Sequence, residues 1–381
     1  MKIRDVFLLA SFWLAGGCVP DTGSVAFFEA DEVPRNLSEW RLLVADRGEL
    51  RLNDRVVPYA LNTPLFSDYA LKLRTVWMPL GATARYRTDR ELDFPVGTII
   101  SKTFHYQYAE QDGGETVRVI KADREARLNE QGALSLKDYF LIETRLFVRY
   151  EEGWKAFPYV WNAEQTEAFL EPAGELLKLE LVPETGESEP VAYVVPDSNQ
   201  CAACHTPDHA SKELRPLGPK ARQLNRDYSY ISGDENQLAY WTRNGMLSGI
   251  EDAELSHAPR IANWSNPGDA TLAARARAYL DANCGHCHNP NGAANTSALN
   301  LNIEASLDRH FGVCKPPVAV GRGSGNRPFD IYPGRAEESI LLFRMEDADP
   351  AIAMPELGRA SNHIEGITAI RDWIDSLSGE C

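Results

Sequence analysis

The sequence is notable first for what it lacks. Beyond its first residues, the 381-residue chain has no apolar run approaching the roughly 20 residues that a membrane-spanning helix needs. It has no glycine-rich phosphate loop, no nucleophile elbow and no cluster of three histidines, so phosphate-loop, serine-hydrolase and histidine-metal chemistries have no motif to rest on. Positive charge is not in excess: the net charge is −16, a sign that repels the phosphate backbone of nucleic acid. An acidic surface suits docking on a basic patch of a protein partner instead. Cysteine and methionine are scarce, with seven and five residues, and residues 24–196 hold no cysteine at all. The overall composition is that of a globular protein, long enough for two or three domains with separate cores.

The start of the chain, MKIRDVFLLASFWLAGGCVP, has Lys2 and Arg4 ahead of a short apolar run. That run fits the apolar part of a secretory signal better than a membrane span. Its end, Ala15-Gly16-Gly17-Cys18, resembles a bacterial lipoprotein signal, although Leu14 stands one place early. The resemblance implies removal of residues 1–17, a lipid on Cys18, and a periplasmic protein anchored to a membrane. An ordinary signal peptide with an incidental Cys18 is the alternative.

Export changes the reading of the other six cysteines, because thiols outside the cytoplasm are oxidised or used. Four form two frames, Cys201-Ala-Ala-Cys204-His205 and Cys284-Gly-His-Cys287-His288. C-x-x-C-H is the spacing of covalent haem attachment: two thiols add to the haem vinyl groups and the adjacent histidine binds the iron. The rival is one zinc held by both pairs. Paired zinc knuckles lie about 15–20 residues apart, whereas 79 residues separate Cys204 from Cys284. Zinc would also not need a histidine directly after each pair. Two haem c groups, on Cys201, Cys204 and His205 and on Cys284, Cys287 and His288, are therefore expected. Cys314 and Cys381 remain, and a disulfide is favoured over two free thiols in an exported chain.

The stretch before the second frame, GDATLAARARAYLDAN, has a helical apolar face, and Asp269 is placed to cap it. The chain closes on a second amphipathic segment whose Asn362 and Glu365 are spaced as a capping box. Between them Met354 precedes Pro355. A helix entering C-x-x-C-H, a Met-Pro loop and a closing helix together resemble a small cytochrome c domain. The resemblance implies crossed terminal helices and Met354 as the sixth ligand opposite His288; Met345 reads as core. For the first haem the ligand opposite His205 is open between Met246, His209, His257 and an unfilled site.

Residues 24–196 read as strands: GTIISKTFHYQY, TVRVIKA, YFLIETRLFVRY, LLKLELV and VAYVVP are β-branched and aromatic, and turn-rich pieces separate them. Asp68, Lys72, Glu143 and Arg145 interrupt the apolar runs and are expected to form structural ion pairs. The expected fold class is α+β multidomain: an N-terminal antiparallel β-sandwich or barrel (18–196), then two small all-α cytochrome c-like haem domains (197–259 and 260–381).

NTPLFSDYALKLR, FPVGTIISKTF, IETRL, YVWNAEQTEA, QCAACH, LGPKARQLNRDY, RARAYLDANCGHCH, CKPPVAVGRGSG and MPELG span nearly the whole mature chain. With these segments it resembles a group of exported bacterial diheme c-type cytochromes with a β-rich N-terminal region. The resemblance supports a diheme cytochrome and names neither partner nor reaction; the pair of frames and the Met-Pro ligand point to electron transfer with an exported or membrane-bound redox protein, not enzymatic turnover. Two alternatives stand beside it. One is a diheme peroxidase-like enzyme with an open iron at the first haem, for which 83 residues between frames is a tight spacing. The other is the electron-transfer subunit of a periplasmic dehydrogenase, with the β-region as binding module.

Overall fold

A computed structural model describes residues 23–125, 127–319 and 321–381. The expected signal peptide, residues 1–17, and the expected lipidation site Cys18 lie outside the described residues.

The centre is a six-stranded sheet, every pairing antiparallel, in the order Ala168–Leu170, Gly153–Trp161, Tyr139–Tyr150, Ile99–Gln107, Leu71–Trp77, Val57–Tyr59. Alternation along these strands sends successive side chains to opposite faces. On one face Leu73, Ile99, Leu141, Leu146, Val148 and Tyr159 form a core with Trp40, Leu42 and Leu50. These last come from the N-terminal segment, where Leu43–Asp46 and Glu49–Leu52 pair as a hairpin beside Ala133–Ser135. Trp40 is wholly buried, and its Nε1 donates to Tyr159 Oη at 2.7 Å.

The opposite face is divided. At one end Phe104, Tyr106, Ile142 and Val160 pack under a three-stranded sheet of Glu175–Val182, Glu189–Val195 and Val117–Ile120. The Val117–Ile120 strand pairs parallel, so the strand-rich region is not wholly antiparallel. At the other end Val76, Ile100 and Phe147 pack against Ala221, Leu224, Leu238 and Trp241.

That second cluster corrects the expected fold class. Residues 197–259 are not a small all-α domain: they include the hairpin Asp227–Tyr230/Gly233–Asn236 and the strand Leu247–Ser248, which pairs with Ala84–Arg85. The physical reason is size. So short and polar a segment cannot close a core alone, and its large apolar side chains are buried against the sheet instead. Residues 260–381 depart from the expectation too. Their α-helices are Leu272–Leu280, Ile340–Glu346 and Ile364–Ser376, and much of the remaining chain is 3₁₀ turns and irregular backbone. Cys314 and Cys381 are joined by a disulfide, their Cα atoms 5.4 Å apart.

The two outer helices of this last part pack together through Gly366. A Cβ there would stand 2.5 Å from the Tyr279 ring, which itself is held by a hydrogen bond between Tyr279 Oη and His363 Nδ1 at 3.1 Å. Neither expected cap forms. Thr271 Oγ1 accepts from Ala274 N, while Asp269 pairs with Arg260. Asn362 donates to Glu346 O, and Glu365 accepts from Tyr69 Oη. Both predicted caps are drawn instead into longer-range contacts.

Gly366→Val is expected to destabilise the protein by about 1–3 kcal/mol through overpacking against Tyr279. Urea denaturation followed by tryptophan fluorescence should show a lower midpoint at an unchanged slope.

Candidate functional site

The first C-x-x-C-H frame occupies the helix Ser198–His205. Asp197 caps it, its carboxylate accepting from Asn199 N and Gln200 N at 2.8 Å each, and Asp197 N in turn donates to Gln200 Oε1 at 3.0 Å. This capping box fixes the start of a short helix. Residues three and four apart then share one face, so Cys204 and His205 lie a turn beyond Cys201 on the same side. Cys201 is buried, and His205 lies over the sheet with its ring centroid 4.5 Å from that of Phe147. Its Nδ1 faces Arg215 O at 3.0 Å, and Arg215 N donates back to His205 O at 2.7 Å. Burial, and next the charge of Lys102, hold the imidazole down at about 3, so it is neutral.

The second frame follows the helix Leu272–Leu280, which widens to a π-type turn over Asp281–Gly285. Such turns interrupt regular helix and often occur at functional sites. Asp281 is anchored by the buried Arg222, 3.2 Å away, and accepts from Ile303 N. Asn283 Oδ1 takes the amide of Phe66 at 2.8 Å, tying the frame to the loop before the sheet strand Leu71–Trp77. His288 Nδ1 lies 3.0 Å from Ser297 Oγ. Burial, and then Arg344, hold this imidazole down at about 4. Among the described residues, Nε2 of neither His205 nor His288 takes part in a hydrogen bond.

The structure brings the two frames together. Donor atoms of Cys204, His286 and Cys287 all lie within 4.8 Å of one another, and His209 N donates to Asn291 O at 2.9 Å between the loops that follow the frames. Cys204 is pushed down by hydrogen bonding from Cys287 and, against its burial, from His286. The same pairing pushes Cys287 up, and burial pushes Cys284 up to about 12. His286 was not legible as a site residue: it sits in a variable position of the second frame, and only the meeting of the frames gives it a partner.

The other candidates are distributed as follows. Met354 is half-buried in a loop hung on Arg344: its amide donates to Arg344 O at 2.8 Å, and Arg344 Nε donates to Ile352 O. Arg344 and Glu356 act on His288 and Cys287 respectively, so this loop borders the second frame. Met246 packs at the edge of the cluster that holds Phe147 and Trp241. His209 and His257 are exposed, and His257 Nδ1 lies 3.0 Å from Ser256 Oγ.

Of the charges that interrupt the strands, Arg145 and Glu143 form an ion pair of 2.5 Å, with Tyr193 Oη also donating to Glu143. Asp68 accepts from Ala360 N, Ser361 N and Ser361 Oγ at 2.7–2.8 Å, so it ties the sheet to the Met354 loop's exit. Lys72 donates to Ala70 O rather than to an acid. Comparison of the chain with family models, with curated proteins and with solved structures finds no match in any of the three.

In the haem-free polypeptide, limiting iodoacetamide at pH 6 is expected to label Cys204 ahead of Cys201, Cys284 and Cys287. Hydrogen bonding from Cys287 and His286 holds the Cys204 thiol below the ordinary range, while burial pushes Cys201 and Cys284 up and pairing with Cys204 does the same for Cys287. Peptide mass spectrometry reads the order, and equal labelling of all four would contradict this electrostatic picture.

Proposed function

We propose that the protein is a two-haem c-type cytochrome that passes electrons to or from an exported redox protein. The observation that carries the proposal is the pair of C-x-x-C-H frames, far apart in sequence and adjacent in the fold, each with its histidine oriented through Nδ1 and free at Nε2. A histidine ligand commonly has its second nitrogen engaged in this way, which fixes tautomer and ring direction. Both imidazoles are neutral, the form that binds a metal. The residues therefore fit haem c: Cys201 and Cys204 with His205, and Cys284 and Cys287 with His288. Bound there, the iron would supply reversible one-electron chemistry.

What the chain itself contributes is placement and insulation. Phe147 covers one side of His205, and the sheet excludes water beneath it. Adjacency of Cys204 and Cys287 supports short-range exchange between the two centres. Met354, on the loop beside the second frame, is the proposed sixth ligand opposite His288; thioether ligation raises the reduction potential. Met246, at the edge of the cluster that holds Phe147, is proposed opposite His205. Export, lipidation at Cys18, membrane attachment and periplasmic location belong to the same proposal, as does an electron-carrying rather than enzymatic role.

One observation favours a second reading. Two thiols and an imidazole converging on a point are also a ligand set for a zinc-type ion. Haem content separates the two: protein from cells that mature c-type cytochromes should carry two haems per chain by the pyridine haemochrome assay. C201S/C204S should carry one. Bound zinc with no haem would overturn the cytochrome reading.

Met354→Ala is expected to lower the potential of one haem by on the order of 0.1–0.3 V, a fraction of the ≈ 0.8 V range that axial ligands span. Spectroelectrochemical titration should show the other haem's wave unmoved; two unmoved waves would remove Met354 from the iron.

A further inference from the structure

A partly enclosed cavity lies where the sheet strand Leu71–Trp77, the loop of residues 122–125 and the last part of the chain meet. Phe66, Tyr69 and Trp264 give it apolar walls, and Lys72, Arg74, Asp123, Glu125 and His363 bring both signs of charge to it. Apolar walls with a few placed polar groups, at a junction between parts of a fold, are the usual make-up of a small-molecule site.

The charges here do not satisfy one another. Arg74 is 8% exposed, and its side chain makes one long hydrogen bond of 3.4 Å, to Lys72 O. Burial pulls this guanidinium below its ordinary range, against the pull of Tyr59 and Glu125. Glu125 is turned to Arg226, which donates to both of its oxygens. Lys72 is half-buried and donates to Ala70 O at 2.9 Å. Asp123 supports the charge of Lys72, yet among the described residues it forms no ion pair with Lys72 or Arg74 and accepts no hydrogen bond.

His363 is 4% exposed, and its Nδ1 is taken by Tyr279 Oη. Its Nε2 therefore turns the other way, toward Asp123 Oδ2 at 3.6 Å, and has no hydrogen-bond partner. Glu365 stands no closer to it, at 3.8 Å, and accepts from Tyr69 Oη instead. A buried cation and a carboxylate thus face one cavity from different elements, each with unused hydrogen-bonding capacity, and an unpartnered imidazole nitrogen lies beside the carboxylate. Polar groups left unmatched in such a place cost free energy unless something pairs with them.

We infer that this cavity binds a small zwitterion of the α-amino acid class, its carboxylate on Arg74 and its ammonium on Asp123. A simple anion would be repelled by Asp123 and a simple cation by Arg74, whereas a molecule carrying both charges is complementary to both. Arg74 offers the planar fork of donors that a carboxylate takes, and His363 Nε2 lies on the ammonium side. The apolar walls keep water from screening either contact. The centre of a water molecule has about 50 Å³ to move in. A single water needs only about 10–15 Å³, so the cavity has room for several non-hydrogen atoms.

The test uses the full-length protein, dialysed free of amino acids, with glycine and alanine as probes in calorimetric titration and thermal unfolding. A ligand that binds only the folded state raises the unfolding midpoint. Acetate and methylammonium, each carrying one of the two charges, are the comparison ligands. Glycine or alanine is expected to bind, and both comparison ligands to bind at least about tenfold more weakly. Asp123→Asn and Arg74→Gln should each weaken amino-acid binding by about tenfold or more. Asp123→Asn should also bring acetate level with glycine, since it removes the partner that only the ammonium uses.

No heat and no rise in midpoint with either amino acid would overturn the inference. So would amino-acid binding that Asp123→Asn leaves unchanged, or acetate binding as tight as that of glycine in the wild type. Should Arg74→Gln fail to fold, Asp123→Asn, at a side chain 30% exposed, carries the same comparisons. The haems play no part in this binding, so haem content in the same samples bears on the two-haem reading alone.

Discussion

The structure depends on how one face of the central sheet is shared. Its apolar ends are covered by separate elements, a small sheet at one end and the segment after the first frame at the other. The middle carries the charges, and the first C-x-x-C-H helix lies over it through Cys201 and His205. A short helix with almost no apolar face of its own gains little from hydrophobic burial. Its position is fixed by the Asp197 capping box, by Phe147 under His205, and by the Arg215 carbonyl. The sheet is therefore part of the site's wall, and cutting the chain between the strand region and the first frame would expose Phe147, Ile100 and Trp241 together.

The second frame reaches the same place by polar ties. Arg222 and Asp281 form a buried ion pair, Phe66 N bonds to Asn283, and Asp68 gathers three donors from residues 360 and 361. Breaking one partner of a buried pair costs about 3–5 kcal/mol, because the other charge is left uncompensated. Such contacts demand particular geometry, whereas apolar packing tolerates sliding. They set the angle at which the second frame meets the first, and hence the closeness of Cys204, His286 and Cys287.

Periodicity made the strands around 99–107, 139–150, 175–182 and 189–195 legible, since β-branched and aromatic runs there are bounded by turn residues. It also made the two helices flanking the second frame legible. The integration of residues 197–259 with the sheet was not. Leu238 and Trp241 read equally well as the core of a small helical domain, because an apolar residue does not name the surface that buries it. Both helix caps were misread for a similar reason: Asp269 and Glu365 have the right spacing, but Arg260 and Tyr69 are stronger or better-placed partners brought in by the tertiary fold. The cysteine frames were plain in the sequence as motifs. Their adjacency was not, since it arises from contacts between segments 83 residues apart.

The cations of this sheet face follow from the same distinction. Lys72 and Arg145 were visible as interruptions of strand alternation, and ion pairing was the natural expectation. It holds for Arg145 and Glu143 but not for Lys72, Arg74 or Lys102, which share a face without matching acids. A chain with net charge −16 has carboxylates to spare, yet near this face Glu125 is paired with Arg226 and Asp68 holds backbone amides, while Asp123 lines the cavity beside Lys72 and Arg74 without an ion pair to either. Self-pairing would have required one further acid on a neighbouring strand, a small change in sequence. Positive charge left concentrated beneath the first frame instead makes that part of the site electrostatically distinct from the rest of an acidic protein. Through His205 and Cys201, it couples the electrostatics of the sheet to whatever the frame holds.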